Sequence, residues 1–439
     1  MKNYCFLLLL GLLATSLNAQ NPVTLTLDDA IARGLEHDYT LKNQSVQIQL
    51  AAQDRDKLNS RRAPVVTAGS DLRGNPILQT LIIPAAAVGG GSGGESTRKA
   101  KFGTFFNWSF TADIKYPIID PTLRSDQLKS ENERLLREVT LEKLKTNARL
   151  SVAEAWYDVF LKEEQLKIAQ EKLKRAQALL DIAKNRQSAG SLLPVDVQRS
   201  QLDVDNSQSS LEQAKNTLEQ SRQNLAYRVG LPLETALQLP TPPQPNQVET
   251  TLPTGAQPDQ RAELKEEQYR LGMNQIDQTQ LRDQYKPTLN AYASGAIQHL
   301  SNNFAIWQNW FPIAYLGLQA KVTLFDGQLK RKNLSILQLQ GQTIQQNIAK
   351  YKEDFNYETA SATSTLKNAI VQWKNAQKNL QTAQQILALD KERFTGGALL
   401  FSEYLNTEYT LRESENNFLT AWYNYLVAKV RWDKAAGRL

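Results

Sequence analysis

Apolar and polar residues alternate strictly from Asn107 to Ile118. Trp108, Phe110, Ala112, Ile114, Tyr116 and Ile118 fall on one side of an extended chain, and Asn107, Ser109, Thr111, Asp113 and Lys115 on the other. A period of two marks a strand with one apolar and one polar face. The pattern then changes period. From Pro121 to about Gln187 there is no internal Pro or Gly, and Val152, Ala155, Trp156, Val159 and Phe160 recur at the 3–4 residue spacing of a helix face. A helix of ~67 residues is a rod of roughly 100 Å, against about 11–12 residues for an ordinary globular helix. Such a rod needs a partner along its length.

The same plan recurs. Ala314, Leu316, Leu318, Ala320, Val322 and Leu324 alternate with Tyr315, Gly317, Gln319, Lys321 and Thr323, predicting a strand over 313–325. A second long helix is predicted to run to about Phe394, interrupted only mildly by Gly341 and ended by Gly396-Gly397. Asp120 and Asp326 are 206 residues apart, while Gly190/Gly397 and Gly230/Gly437 are each 207 apart. The chain therefore reads as two similar halves, with a period far longer than that of a solenoid.

The remaining elements follow from local signals. Thr26 and Asp29 form an approximate capping box for a helix expected to continue past His37 towards Arg62, where Pro64 ends it. Residues 65–73 and 289–297 read as weaker strands, and 75–104, with Gly89-Gly-Gly-Ser-Gly-Gly94, as a long loop. After the Gly190 turn a helix returns. Its Leu211, Ala214, Leu218, Ser221 and Leu225 follow a near-heptad suited to coiled-coil packing. Residues 232–258 hold seven prolines and read as a connector. A helix from Asp259 to Lys286 then opens the second half, and a last helix runs to about Ala436. The expected division is a signal peptide at 1–19, a first repeat at 20–231, the connector at 232–258 and a second repeat at 259–439.

Composition narrows the class. The signal peptide is read from Lys2, the apolar run Phe6–Ala14 and Leu17-Asn18-Ala19 before a cut at Gln20. The only cysteine, Cys5, precedes that cut, so the expected mature chain has no disulfide and no catalytic thiol. An exported, cysteine-free protein fits a bacterial envelope. After the N-terminus no apolar run reaches about 18 residues, so no transmembrane helix is expected. The formal charge of +6 is interleaved with acids along the helices, a solvated surface rather than a nucleic-acid site. His37 and His299 are the only histidines and lie far apart. No metal cluster, cofactor, catalytic triad, phosphate loop or nucleotide motif is expected, and the chain is not expected to be an enzyme.

Each chain thus offers about four strands. Four strands cannot close a barrel, and an open edge cannot sit in lipid. Three copies would supply twelve strands, above the minimum of eight for a bacterial barrel, with Trp108, Tyr116, Trp307 and Trp310 available for aromatic girdles. The competing expectation is a soluble sheet packed on the helices.

Several short motifs carry a family resemblance over essentially all of the expected mature sequence. They are Leu25-Thr-Leu-Asp-Asp-Ala-Ile31, Leu324-Phe-Asp-Gly327, Gly190-Ser-Leu-Leu-Pro-Val-Asp-Val197 and Gly397-Ala-Leu-Leu-Phe-Ser-Glu-Tyr-Leu405. The chain resembles the TolC-like outer-membrane efflux proteins. That resemblance implies a mainly α homotrimer with a twelve-strand membrane β-barrel in outer-membrane lipid, continued by a long α-helical barrel through the periplasm. It also implies a periplasmic adaptor protein and an inner-membrane pump as partners.

The resemblance places the gate at the two tip turns. Glu403 matches an acidic aperture position, and three copies would form a carboxylate ring that attracts cations; the alternative is a solvated acid near a helix N-terminus. Asn406 stands where a second acid is expected. Asp196 matches an Asp that helps hold the closed state, and it precedes Glu403 by 207 residues. Phe394 replaces a Tyr partner of that Asp, and Leu399 replaces an Arg of the same latch, so the closing contacts must differ here. Ala189, Gly190, Ser191, Gly396, Gly397 and Ala398 are expected to meet the adaptor. Export of small molecules is the leading functional reading. Protein secretion through the same kind of conduit, or a non-conducting coiled-coil spacer, are the alternatives.

Overall fold

A computed structural model describes residues 23–84, 97–240, 255, 258–303 and 307–439. The predicted signal peptide lies outside the described residues, as do 241–254, 256 and 257 of the connector. In chain order the elements are β1 (Val23–Thr24), α1 (Leu27–His37), α2 (Tyr39–Asn59), β2 (Val65–Gly74), β3 (Gln79–Pro84), β4 (Thr97–Phe102) and β5 (Phe106–Ile119). Then follow α3 (Leu123–Ser188), α4 (Pro194–Val229), β6 (Leu237–Gln238), α5 (Ala262–Asp283), β7 (Thr288–Ser301), β8 (Trp310–Lys321), α6 (Leu329–Thr395) and α7 (Phe401–Ala435). The long helices α3 and α6 have 66 and 67 residues, and the returning helices α4 and α7 have 36 and 35. No described helix is long and apolar enough to cross a membrane.

The chain divides into two compact units. One comprises Met1–Val46, Glu138–Glu266 and Asn347–Leu439; the other comprises Gln47–Arg137 and Glu267–Gln346. The second unit holds an antiparallel sheet of order β2-β5-β7-β8. Its register puts Val66, Ile114, Ala293 and Leu316 in one cross-strand row, and Leu72, Trp108, His299 and Trp310 in another. On that face Phe110, Ile114, Tyr116, Leu316 and Leu318 are all exposed. It is therefore not a face packed on helices, which sets aside the soluble-sheet expectation. The opposite face carries Thr111, Asp113, Lys115, Gln298 and Ser294, together with Phe311, Ile313 and Tyr315 from β8. Trp108 and Trp310 lie 5.8 Å apart with Phe110 and His299 against them, an aromatic cluster at one end of the apolar face.

Both strand-to-helix junctions are tied by the repeated aspartate. The Asp326 carboxylate accepts the Lys330 N–H at 2.8 Å and the Tyr285 hydroxyl, and the Tyr285 hydrogen bond holds it below the usual range. Asp120 accepts the Thr122 N–H at 3.2 Å and pairs with Arg61 at 2.5 Å. In both places the carboxylate satisfies donors that a helix start leaves open.

The helical unit has three apolar clusters. One gathers Val152, Ala155, Trp156 and Val159 of α3 with Leu218 and Leu225 of α4, which are the stripe and heptad read from the sequence. A second joins Phe160 to Leu366, Trp373, Trp422 and Trp432. The third lies at the hairpin tips.

Four local expectations are corrected. The first helix breaks at Asp38, whose carboxylate accepts the Thr40 N–H at 2.6 Å and restarts the chain as α2. The segment 75–104 is not all loop, because β3 and β4 pair antiparallel from Gln79–Phe102 to Pro84–Thr97. The Pro-rich connector contributes β6, which pairs parallel with β1 and buries Leu237 in the core. The last strand ends at Lys321 rather than 325: its partner strand begins at Thr288, and Pro287 has no N–H to extend the ladder.

Candidate functional site

Both hairpin tips are built on the same cap. After α3, Gly190 takes φ +75, its N–H reaches the Gln187 carbonyl at 2.9 Å, and the Ser191 N–H reaches the Arg186 carbonyl at 2.9 Å. After α6, Gly397 takes φ +77, with Gly397 to Phe394 at 3.1 Å and Ala398 to Arg393 at 2.8 Å. This paired bonding around a left-handed residue is the Schellman cap, and glycine adopts that conformation without a Cβ penalty. Pro194 then opens α4 at its first turn, where a missing N–H costs nothing. Ala189, Gly190, Ser191, Gly396, Gly397 and Ala398 are all exposed.

Behind the turns, Leu179 and Ala183 of α3 pack with Phe394, Phe401, Tyr404 and Leu405. Phe394 is the centre, 1% exposed and stacked on Tyr404 at 5.0 Å. Arg186 lies over the Phe394 ring at 4.3 Å and donates from Nη2 to the carbonyls of Phe394 at 2.5 Å and Thr395 at 3.0 Å. A cation from one hairpin thus caps the negative end of the other hairpin's long helix. The two hairpin tips are thus joined by a stacked arginine on backbone carbonyls. The nearby Tyr404 hydroxyl points at Glu408 at 3.4 Å and titrates at about 12, raised by burial and then by the Glu408 charge.

Of the predicted gate residues, Asp196 sits in the first turn of α4 and pairs with Arg199 at 3.2 Å. Glu403 occupies the matching turn of α7 and is exposed, as is Asn406. Phe394 instead lies inside the tip core.

Further along the helices the apolar core is interrupted by buried charge. Arg412 of α7 grips Asp203 of α4 through two bonds of 2.9 and 2.6 Å. Arg175 of α3 pairs with Glu408 and Glu415, both at 3.2 Å. Burial raises Glu415 above the usual carboxylate range and, with the Arg412 charge, lowers Lys172. Sequence reading missed Arg175, Arg186, Asp203, Glu408 and Arg412. The one available signal was Arg186, which stands 207 residues before Arg393.

A model of the outer membrane efflux protein family matches residues 78–231. Solved structures match nearly the whole chain. CusC, whose structures concern transmembrane channel formation, superposes with a TM-score of 0.75 at 16% identity, covering 96% of this chain and 95% of that one. The chain has the TolC-like outer-membrane efflux fold. The outer membrane protein VceC of Vibrio cholerae gives a TM-score of 0.69 at 13% identity, covering 94% and 96%. The open state of the Neisseria gonorrhoeae MtrE outer membrane channel gives 0.72 at 15%, covering 94% and 88%. No curated protein matches by sequence. The TolC-like resemblance carried by the short motifs is therefore borne out at the level of the fold.

Proposed function

We propose that three copies assemble into an outer-membrane conduit that exports small molecules across the periplasm and outer membrane. It works with a periplasmic adaptor and an inner-membrane pump. The observation that carries this reading is the four-stranded sheet. One face is exposed and apolar, and its edge strands β2 and β8 have no further partner among the described residues. In lipid every backbone group must be paired. Copies joined β2 to β8 remove both edges, and three give twelve strands. Strands of 10–14 residues suffice for a tilted membrane strand.

In this reading the chain is an exported precursor cut after residue 19. Its repeats, 20–231 and 259–439, are joined by the connector 232–258, and each supplies two strands and one long hairpin. Glu403 forms the acidic aperture ring, with Asn406 one turn on and Asp196 at the matching place of the first tip. The exposed small residues at 189–191 and 396–398 are the adaptor-contacting surface. Deletion of the gene tests the substrate class. Sensitivity to dyes and drugs, restored by the intact gene, supports small-molecule export. Loss of a secreted protein without such sensitivity assigns the conduit to protein secretion.

A further inference from the structure

Among the arginines that bridge the two hairpins, Arg186 alone has an arginine at the repeat position. Arg175 corresponds to Thr382 and Arg412 to Asp205, whereas Arg186 corresponds to Arg393. The acceptors of Arg186, the carbonyls of Phe394 and Thr395, correspond to those of Gln187 and Ser188. Yet the two arginines behave differently within one chain. Arg186 reaches across to the neighbouring hairpin. The Arg393 side chain is 59% exposed and, among the described residues, its one ion pair is with Asp390, three residues back on its own helix, at 3.3 Å. Gln187 and Ser188 are likewise exposed, and the Ser188 carbonyl accepts no hydrogen bond among the described residues.

The repeat explains the difference. A rotation that carries the first hairpin onto the second carries the second onto the next hairpin in a ring, and that hairpin belongs to another copy. We infer that Arg393 grips the backbone carbonyls of Gln187 and Ser188 in an adjacent copy of this chain. The contact matches the one Arg186 makes within the chain. This rests on the trimeric reading above. Three internal and three inter-copy clasps then alternate around the tips. In each, a guanidinium bonds one carbonyl that the glycine cap already uses and one that it leaves open, and meets the negative end of the helix dipole. The two kinds are not equal. Arg186 also stacks on Phe394, whereas Gln187 offers no ring, so the inter-copy clasp is the weaker and yields first when the tips move apart.

Thiol cross-linking of the purified full-length assembly tests this. Cys5, the only cysteine, lies in the segment cut off after residue 19, so the exported chain has no competing thiol. Ser188→Cys with Arg393→Cys, treated with a short bis-maleimide, should give covalent species of two and three times the mass of the cut chain. Arg186→Cys with Thr395→Cys should link only within a chain. In parallel, Arg393→Ala should raise trimer dissociation roughly tenfold or more per clasp, Arg393→Lys should restore part of it, and Arg186→Ala should leave dissociation less affected. An intact trimer in which Ser188/Arg393 fails to join chains, or in which Arg393→Ala dissociates as wild type does, overturns the inference and leaves the conduit standing. A protein that is monomeric before any cross-linking overturns the trimeric reading itself.

Discussion

Replacing Asp203 by alanine strands the Arg412 guanidinium inside the helical unit. Asp203 is 3% exposed, and its carboxylate is the bidentate partner of Arg412. The Arg412 Nε already lacks a hydrogen-bond partner, and the remaining supports are the Tyr409 ring at 4.8 Å and the more distant Glu415 charge. Removing one member of a buried pair costs ~3–5 kcal/mol, because an uncompensated charge is left behind. At 1.4 kcal/mol per tenfold, that makes local opening about 150 to 4,000 times more frequent. Replacing both partners, as Asp203→Leu with Arg412→Met, removes the desolvation cost with the attraction and should fall within about 2 kcal/mol of wild type. Hydrogen exchange of the α4 and α7 amides flanking the pair reads both effects. Less than a tenfold loss of protection in Asp203→Ala, or a double variant no better protected than the single one, would refute the reasoning.

Gly230 holds φ +70 and a Cβ there would meet the His37 ring at 2.1 Å, whereas one at Gly190 would meet nothing within 4 Å. Both alanines would carry about 1–3 kcal/mol of left-handed backbone strain, and Gly230→Ala should cost more than Gly190→Ala because of the His37 ring, seen as a lower thermal midpoint; equal midpoints would contradict the close approach. Glu415 is raised by burial, so its folded form binds a proton more readily than its unfolded form. The stability this lends is fully present below the unfolded value and is lost as pH rises through the raised one. Glu415→Gln, which mimics the protonated acid, should flatten that loss in denaturation midpoints followed across mildly acidic pH; an unchanged pH profile would count against it.

The elements that face one partner along their whole length were readable from periodicity. The Trp108 strand, the α3 stripe and the α4 heptad appear where periodicity placed them, because a face that meets one environment along its length keeps a regular pattern. The offset of 207 residues likewise reappears as two identical caps at Gly190 and Gly397. What escaped reading depends on distant partners. Strand β6 exists because Val23–Thr24 lies beside it, and nothing in a proline-rich stretch announces that. Strand β8 stops where Pro287 leaves it without a partner. The tip illustrates both sides: sequence showed that Phe394 lacks a hydroxyl, but only folding brings Arg186, 208 residues away, onto its ring and carbonyl.

Single-channel conductance of the purified assembly in a planar bilayer, beside Glu403→Ala, tests the central claim most directly. An acidic aperture ring should give small, cation-selective openings in the wild type that grow or lose selectivity when the three carboxylates are removed. Cation-selective openings unchanged by the substitution would keep the conduit and move the gate elsewhere. No conductance from well-ordered, inserted trimers would contradict the account and favour a non-conducting spacer.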